Sequence, residues 1–229
     1  MTIDHPLRIA VGSHKAGSGK GCAMNVQSWI NGDTTITDLP DCADLFLAKI
    51  VQRVNDTYCT HRGVSDLLCP PCSMEVMALA DRTFGTALDL PAADRSRVYV
   101  TLAVEQAESV LDLTTDDASR RACALVRRFL AGEPVSGGDL RAAADAAYAA
   151  AYADAAAAAD AADTAAAAAA ASAADAAYAY ADAANAYDRM ARAHQIIDRF
   201  EDLTGIKAAP VAPETTQAAV AQMLAWVTT

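Results

Sequence analysis

Positive charge is scarce in this chain. Lys and Arg number 18 against 29 Asp and Glu, which leaves a formal charge of −11 over 229 residues and a pI near 4.6. Nucleic-acid affinity depends on clustered Lys and Arg, so DNA and RNA are disfavoured as partners. The first reading of the acidity is that it keeps an alanine-rich chain soluble, and the second is a partner that accepts an acidic face. A membrane-spanning run is missing too. The longest apolar stretch is alanine-rich, alanine is only weakly apolar, and Asp interrupts it repeatedly. Met1-Thr2-Ile3-Asp4-His5-Pro6 shows no basic region followed by an apolar core. The expectation is a cytoplasmic, reducing setting, in which six cysteines serve as thiols or metal ligands and not as a disulfide framework. Leu7-Arg8-Ile9-Ala10-Val11 reads as a short strand, but no later strands follow to build a sheet with it. The expected fold class is all-α.

What the chain does contain is a dense group of metal-ligand residue types. Cys59-Thr60-His61 is followed after seven residues by Cys69-Pro70-Pro71-Cys72, which places three thiols and one imidazole within fourteen residues. A closed tetrahedral Zn²⁺ site takes four nitrogen or sulfur ligands. Two cysteines two residues apart can turn both sulfurs toward one ion, and the intervening prolines stiffen that turn. Cys59 and His61 project to one side if the backbone between them is extended. Burial as small hydrophobes and redox chemistry of the Cys-x-x-Cys pair are the competing accounts. The second ligand pair at short range favours a structural zinc held by Cys59, His61, Cys69 and Cys72.

Upstream lies Gly12-Ser13-His14-Lys15-Ala16-Gly17-Ser18-Gly19-Lys20-Gly21. Glycine-rich backbone after a strand can wrap phosphates, with Lys20 reaching their oxygens. Gly21 stands where that pattern needs Ser or Thr for Mg²⁺, and no hydrophobic strand ending in Asp follows. A loop presenting His14 is the preferred reading. Helical spacing then covers Cys22 to Ile30, stopped by Asn31-Gly32-Asp33. The next helix, from Cys42 to about Tyr58, is capped by Asp41 or its neighbour and carries Leu45, Phe46, Ile50 and Val54 on one face. Ser73 is expected to cap the helix after it, which buries Met74, Met77, Leu79 and Phe84 and closes at Gly85. Two more helices are expected from about Ala92 to Leu111, and from Thr115-Asp116-Asp117 to Ala131. Cys123 falls in the apolar stripe of the second and is left out of the metal site. Arg120, Arg121, Arg127 and Arg128 are expected mainly on its solvent side, available to the acidic tract.

Gly12-Ser13-His14, Cys22-Ala23-Met24, Gly32-Asp33, Asp38-Leu39-Pro40-Asp41-Cys42 and Asn55-Asp56, with the Cys59 to Cys72 group, resemble a family of proteins from actinobacteria and their phages. The resemblance covers roughly residues 12 to 86. It implies a fold and no reaction. Many relatives carry Glu after the Met and His before the Pro, where this chain has Asn25 and Leu39. The shared motif draws attention to His14, Cys22 and Cys42 as a second ligand set, against the plainer account of a buried helix contact with His14 on a carbonyl.

From Gly138 to Gly205 there is neither Gly nor Pro, and residues 141 to 187 are overwhelmingly alanine with Asp and Tyr. High helix propensity makes this ordered helix, ~100 Å long if unbroken at 1.5 Å per residue. So long a rod requires a partner, and alanine faces let helices approach closely. Tyr148 and Tyr152 share one face, as do Tyr180 and Tyr187. Met190, Ile196, Ile197, Phe200 and Leu203 give an amphipathic end, and Val220, Leu224 and Trp226 mark a last short helix after Pro210 and Pro213. The expected organisation is a Cys/His-containing module over 1–136, the alanine-rich helix over 137–205, and a linker with a final helix over 206–229. The expected function is non-catalytic protein binding or self-association through the alanine-rich helix. The rival is a metal- or nucleotide-dependent enzyme using the glycine loop with His14, Lys20, Cys22, Asp38 and Cys42.

Overall fold

A computed structural model of the chain describes residues 8–12, 14, 20–60, 65–87, 91–109, 111, 117–151, 186–212, 214–216 and 218–220. The expectations for His61, for most of the alanine tract (152–185), for Tyr180, and for Leu224 and Trp226 lie outside the described residues. Among the described residues the fold is all-α. The helices are α1 (Ala23–Asn31), α2 (Leu45–Thr57), α3 (Pro70–Asp81), α4 (Ala92–Glu108), α5 (Asp117–Leu130), α6 (Gly137–Ala151) and α7 (Ala186–Thr204). The extended segment at residues 9–11 makes one antiparallel bridge, Ala10 with Leu67, and joins no sheet. No described helix is long and apolar enough to cross a membrane. The chain forms two compact units, Met1–Asp89 with Ala186–Thr229, and Leu90–Asn185. The composition shift at residue 137 falls inside the second unit.

In the first unit α1, α2 and α3 pack on one another and α7 packs on α2. Met24, Leu47, Leu68, Leu79, Ile197 and Phe200 are fully buried. The Cys22 backbone N–H at the start of α1 donates to Asn25 Oδ1 at 3.0 Å. Gly32, at φ +77°, ends the helix in the left-handed conformation that glycine adopts without steric cost. Helix α2 is capped by Asp44, whose carboxylate accepts the Phe46 and Leu47 N–H groups, so its cap lies three residues past the expected cap at Asp41. Its buried stripe is Leu47, Ile50, Val51 and Val54, an i, i+3, i+4, i+7 set. Leu45, in the first turn, falls beside that stripe and is 49 % exposed.

Helix α3 corrects a further expectation. It starts at Pro70 with Cys69 as its N-cap, because proline lacks only an N–H that the first turn does not use. Ser73 therefore lies inside the helix, fully buried, and its hydroxyl accepts the Ile9 N–H at 3.2 Å. Met77 and Leu79 are buried as expected, whereas Met74 is exposed. The helix stops at Asp81, and Gly85 at φ +78° completes the turn beyond it. Residues 206–212 then run past that turn, with Ala209 N–H donating to the Phe84 carbonyl at 2.8 Å. Arg82 ties this turn to α7. Its guanidinium donates to His194 Nδ1 at 2.8 Å and to Asp198 at 2.6 Å, with Glu201 at 3.5 Å.

In the second unit Val100 and Ala103 of α4 pack against Val126, Phe129 and Leu130 of α5. Cys123 and Leu140 are also buried. Arg127 pairs with Glu108 and Arg128 with Glu133, while Arg120 donates to the Leu111 carbonyl. The partners described for Arg120, Arg127 and Arg128 are local, and residues 152–185 of the acidic tract lie outside the described residues. Helix α6 opens on a reciprocal cap, in which Ser136 Oγ accepts the Asp139 N–H and the Asp139 carboxylate accepts the Ser136 N–H.

Two tests follow from the first unit. A Cβ at Gly85 would sit 3.0 Å from Ala209 Cβ, on a backbone at positive φ. Gly85→Ala is expected to cost about 1–3 kcal/mol, the range for a non-glycine residue forced into that region, read by urea unfolding. His194 is held below its ordinary value of 6.5 by burial first and by the Arg82 charge second, opposed by Asp198. The neutral ring accepts from Arg82, so this contribution is full above pH 6.5 and drains as pH falls below it. Between pH 7.5 and 5.5 the parent should lose more thermal stability than His194→Gln. Equal losses would refute the assignment.

Candidate metal centre

Cys59, Cys69 and Cys72 converge. Their sulfur atoms all lie within 4.8 Å of one another, and among the described residues no other group of three His, Cys, Asp or Glu ligand atoms comes together in this way. Three sulfurs at ~2.3 Å from a tetrahedral ion would stand ~3.8 Å apart, so the cluster needs only rotamer adjustment to close on one. Cys59 and Cys72 are buried, and Cys69 is half-buried. The cluster could hold a metal ion.

Local structure explains the convergence. Cys59 leaves the C-terminus of α2 just after Tyr58, whose hydroxyl donates to Glu75 on α3. Cys69 and Cys72 are the N-cap and third residue of α3, held on one turn by Pro70 and Pro71. The approach to Cys69 is fixed by the N-terminal segment, since Val11 N–H donates to Asp66 at 2.8 Å and Leu68 N–H donates to Ile9 at 2.9 Å. The Cys69 N–H points to Cys59 Sγ at 3.4 Å, a contact that favours a thiolate there. Burial is the largest cause raising the Cys72 thiol well above the ordinary range, followed by its hydrogen bonds with Cys69 and Cys59 and their charges. A bound divalent cation would reverse that balance, because thiolates in contact with M²⁺ are no longer uncompensated.

The second ligand set does not assemble in this manner. Cys22 is buried at the start of α1 and Cys42 is buried ahead of α2. His14 donates from Nε2 to the Val11 carbonyl at 2.9 Å. Burial first pushes both thiols up to about 11, and nearby carboxylates add to it, Asp38 and Asp56 for Cys22 and Asp33 and Asp41 for Cys42. Neither has the electropositive surroundings of a reactive cysteine. The described residues beside the glycine loop are similarly committed. Lys20 pairs with Asp66, and the first N–H groups of α1 are taken by Asn25 on Cys22 and by Asn55 on Ala23. A phosphate there would have to displace all three.

Sequence reasoning noted Asn55 only within the Asn55-Asp56 motif and gave it no role. It is buried within α2, and its amide donates to the Ala10 carbonyl at 2.8 Å while accepting the Ala23 N–H at 3.2 Å. The neighbouring Asp56 carboxylate accepts the Gly12 N–H at 2.6 Å. The Asn55-Asp56 dipeptide thus clamps both ends of the glycine loop. Asn25 carries an opposite feature, because its buried Nδ2 has no hydrogen-bond partner among the described residues. No protein-family model, curated protein or solved structure matches this chain.

Asn55→Ala would leave a buried donor and a buried acceptor unsatisfied at ~1–3 kcal/mol each, so a loss of about 2–4 kcal/mol is expected in denaturant unfolding. A loss below 1 kcal/mol would mean that the clamp is dispensable.

Proposed function

We propose that this chain is a non-catalytic, zinc-stabilised helical protein that acts by binding another protein or by self-association. Cys59, Cys69 and Cys72 supply three ligands, and the convergence of their sulfurs within 4.8 Å is the observation that carries the reading. His61 supplies the fourth, since it lies two residues beyond Cys59 and ~7 Å of extended chain brings it within reach of the cluster. Zinc suits three thiolates and an imidazole better than Mg²⁺ or Ca²⁺, which prefer oxygen donors. The four protein ligands leave no open position, so the ion contributes folding free energy and no chemistry. It would link the exit of α2 to the start of α3, and through residues 65–68 to the segment 8–12.

The binding surface is the alanine-rich helix, which enters through α6. An open groove of about 410 Å³ between α5 and α6 supports this reading. Ala118, Ala124, Ala143 and Ala146 make its floor small enough for a close helix approach, and Arg121 and Arg128 border it with positive charge.

The test is elemental analysis of native-purified protein beside a Cys69→Ser, Cys72→Ser double variant. About one zinc per chain is expected in the parent and none in the variant, and a chelator should lower the parent's melting temperature. A metal-free parent whose melting is insensitive to chelator would overturn the proposal.

A further inference from the structure

We propose that Cys69 and Cys72 form a reversible disulfide on exposure to peroxide, and that this releases the metal and loosens the 8–12 segment. This rests on the reading of the cluster as a metal site. Three observations carry it. The two sulfurs already lie within 4.8 Å of each other, with Cys59 as close to both. The residues occupy the N-cap and third position of one helical turn, where Cα atoms three apart stand ~5 Å from each other, inside the ~4.4–6.8 Å that a disulfide spans. Cys69 is half-buried, whereas Cys59 and Cys72 are buried, so a small oxidant reaches Cys69 first.

The chemistry balances with hydrogen peroxide as the oxidant. The Cys69 thiolate attacks one peroxide oxygen, the O–O bond breaks, and hydroxide leaves a sulfenic acid on Cys69. The Cys72 thiolate attacks that sulfur, an S–S bond forms, the S–O bond breaks, and a second hydroxide departs. Two electrons pass from the two sulfurs to peroxide. A dithiol reductant returns them and restores both thiols. Cys59 and the proposed fourth ligand His61 then remain, two where the ion takes four, too few to retain it.

Release of the ion has a structural consequence that ordinary cysteine damage lacks. Leu68, immediately before Cys69, donates to the Ile9 carbonyl, and Ser73, immediately after Cys72, accepts the Ile9 N–H. Val11 hangs on Asp66 in the same way. Reshaping the Cys69 to Cys72 turn therefore reaches the bonds that seat Ile9 and Val11, and with them the base of the glycine loop.

The experiment uses the full-length, zinc-loaded protein treated with hydrogen peroxide. It reads zinc release with a chromogenic chelator, the bonded cysteines by peptide mapping, and amide exchange at residues 9, 11 and 68. The expected result is a species about 2 Da lighter, the mass of two hydrogens, linked Cys69 to Cys72. Zinc should be lost in proportion and exchange at the three amides should rise at least tenfold, all reversed by dithiothreitol with added zinc. Cys59→Ser should still form the link, and Cys72→Ser should not. Zinc-loaded protein whose thiols stay reduced, or that oxidises straight to sulfinic acid, overturns the switch and leaves the metal site standing. Protein that never contains zinc overturns the metal reading itself, and the release step with it.

Discussion

Three sulfurs crowded within 4.8 Å, two of them buried, make a site that is poorly balanced by itself. Each thiol that ionises makes the next ionisation harder, and at Cys72 burial is the first thing that opposes it. A protein that merely needed apolar filling would place one cysteine there, or alanine. The arrangement becomes favourable when a soft cation takes the sulfurs together, and the rest of the first unit can be followed outward from that condition. The exit of α2, the start of α3 and the approach through Leu67 and Leu68 are all fixed within a few residues of a sulfur.

A second set of ties is made by ordinary hydrogen bonds. Asn55 and Asp56 bring the segment 10–12 and the start of α1 to the last turn of α2, where no regular helix bond would hold them. Ser73 does the same from α3. The short extended segment thus gains by side chains what a neighbouring strand would otherwise provide, which is how one isolated bridge remains compatible with an all-α fold. Arg82 then joins the far end of α3 to α7 through one imidazole and two carboxylates, so residues more than a hundred apart in sequence complete a single unit.

Much of this was legible in the sequence, and the failures have physical causes. The class, the breaks at Gly32 and near residue 131, and the burial of Ile196, Ile197 and Phe200 followed from periodicity and glycine placement. The start of α3 was missed because Pro70 and Pro71 serve two purposes, and only the turn-stiffening one was recognised, so the cap moved to Ser73. The face of α2 was read in part: Ile50 and Val54 are buried as expected, whereas moving the cap from Asp41 to Asp44 puts Leu45 in the first turn, exposed. The motif drew attention to Asn55, but its role was invisible for a different reason: a polar residue inside a helix gives no sign of what lies opposite it, and its partners are 32 and 45 residues away. The three thiols were found because their spacing is local, whereas for His14, Cys22 and Cys42 the separation was long and spacing had little to say.

The prolines also bear on what kind of site the cluster is. A redox or nucleophilic cysteine at a helix start is activated by the first-turn N–H groups, which hold its thiolate at neutral pH. Pro70 and Pro71 remove two of those donors from the turn between Cys69 and Cys72. The next N–H is that of Cys72, but the Cys69 side chain accepts no cap bond from it, and the Ser73 N–H closes the first helical bond on the Cys69 carbonyl at 2.9 Å. The helix start therefore offers little thiolate stabilisation to Cys69, which a bound cation would supply. Such a turn is rigid enough to present two sulfurs at a fixed separation and electrostatically too weak to make either reactive without the ion. That combination fits a structural metal better than a free dithiol, and it places control of the thiols with whatever occupies the cluster.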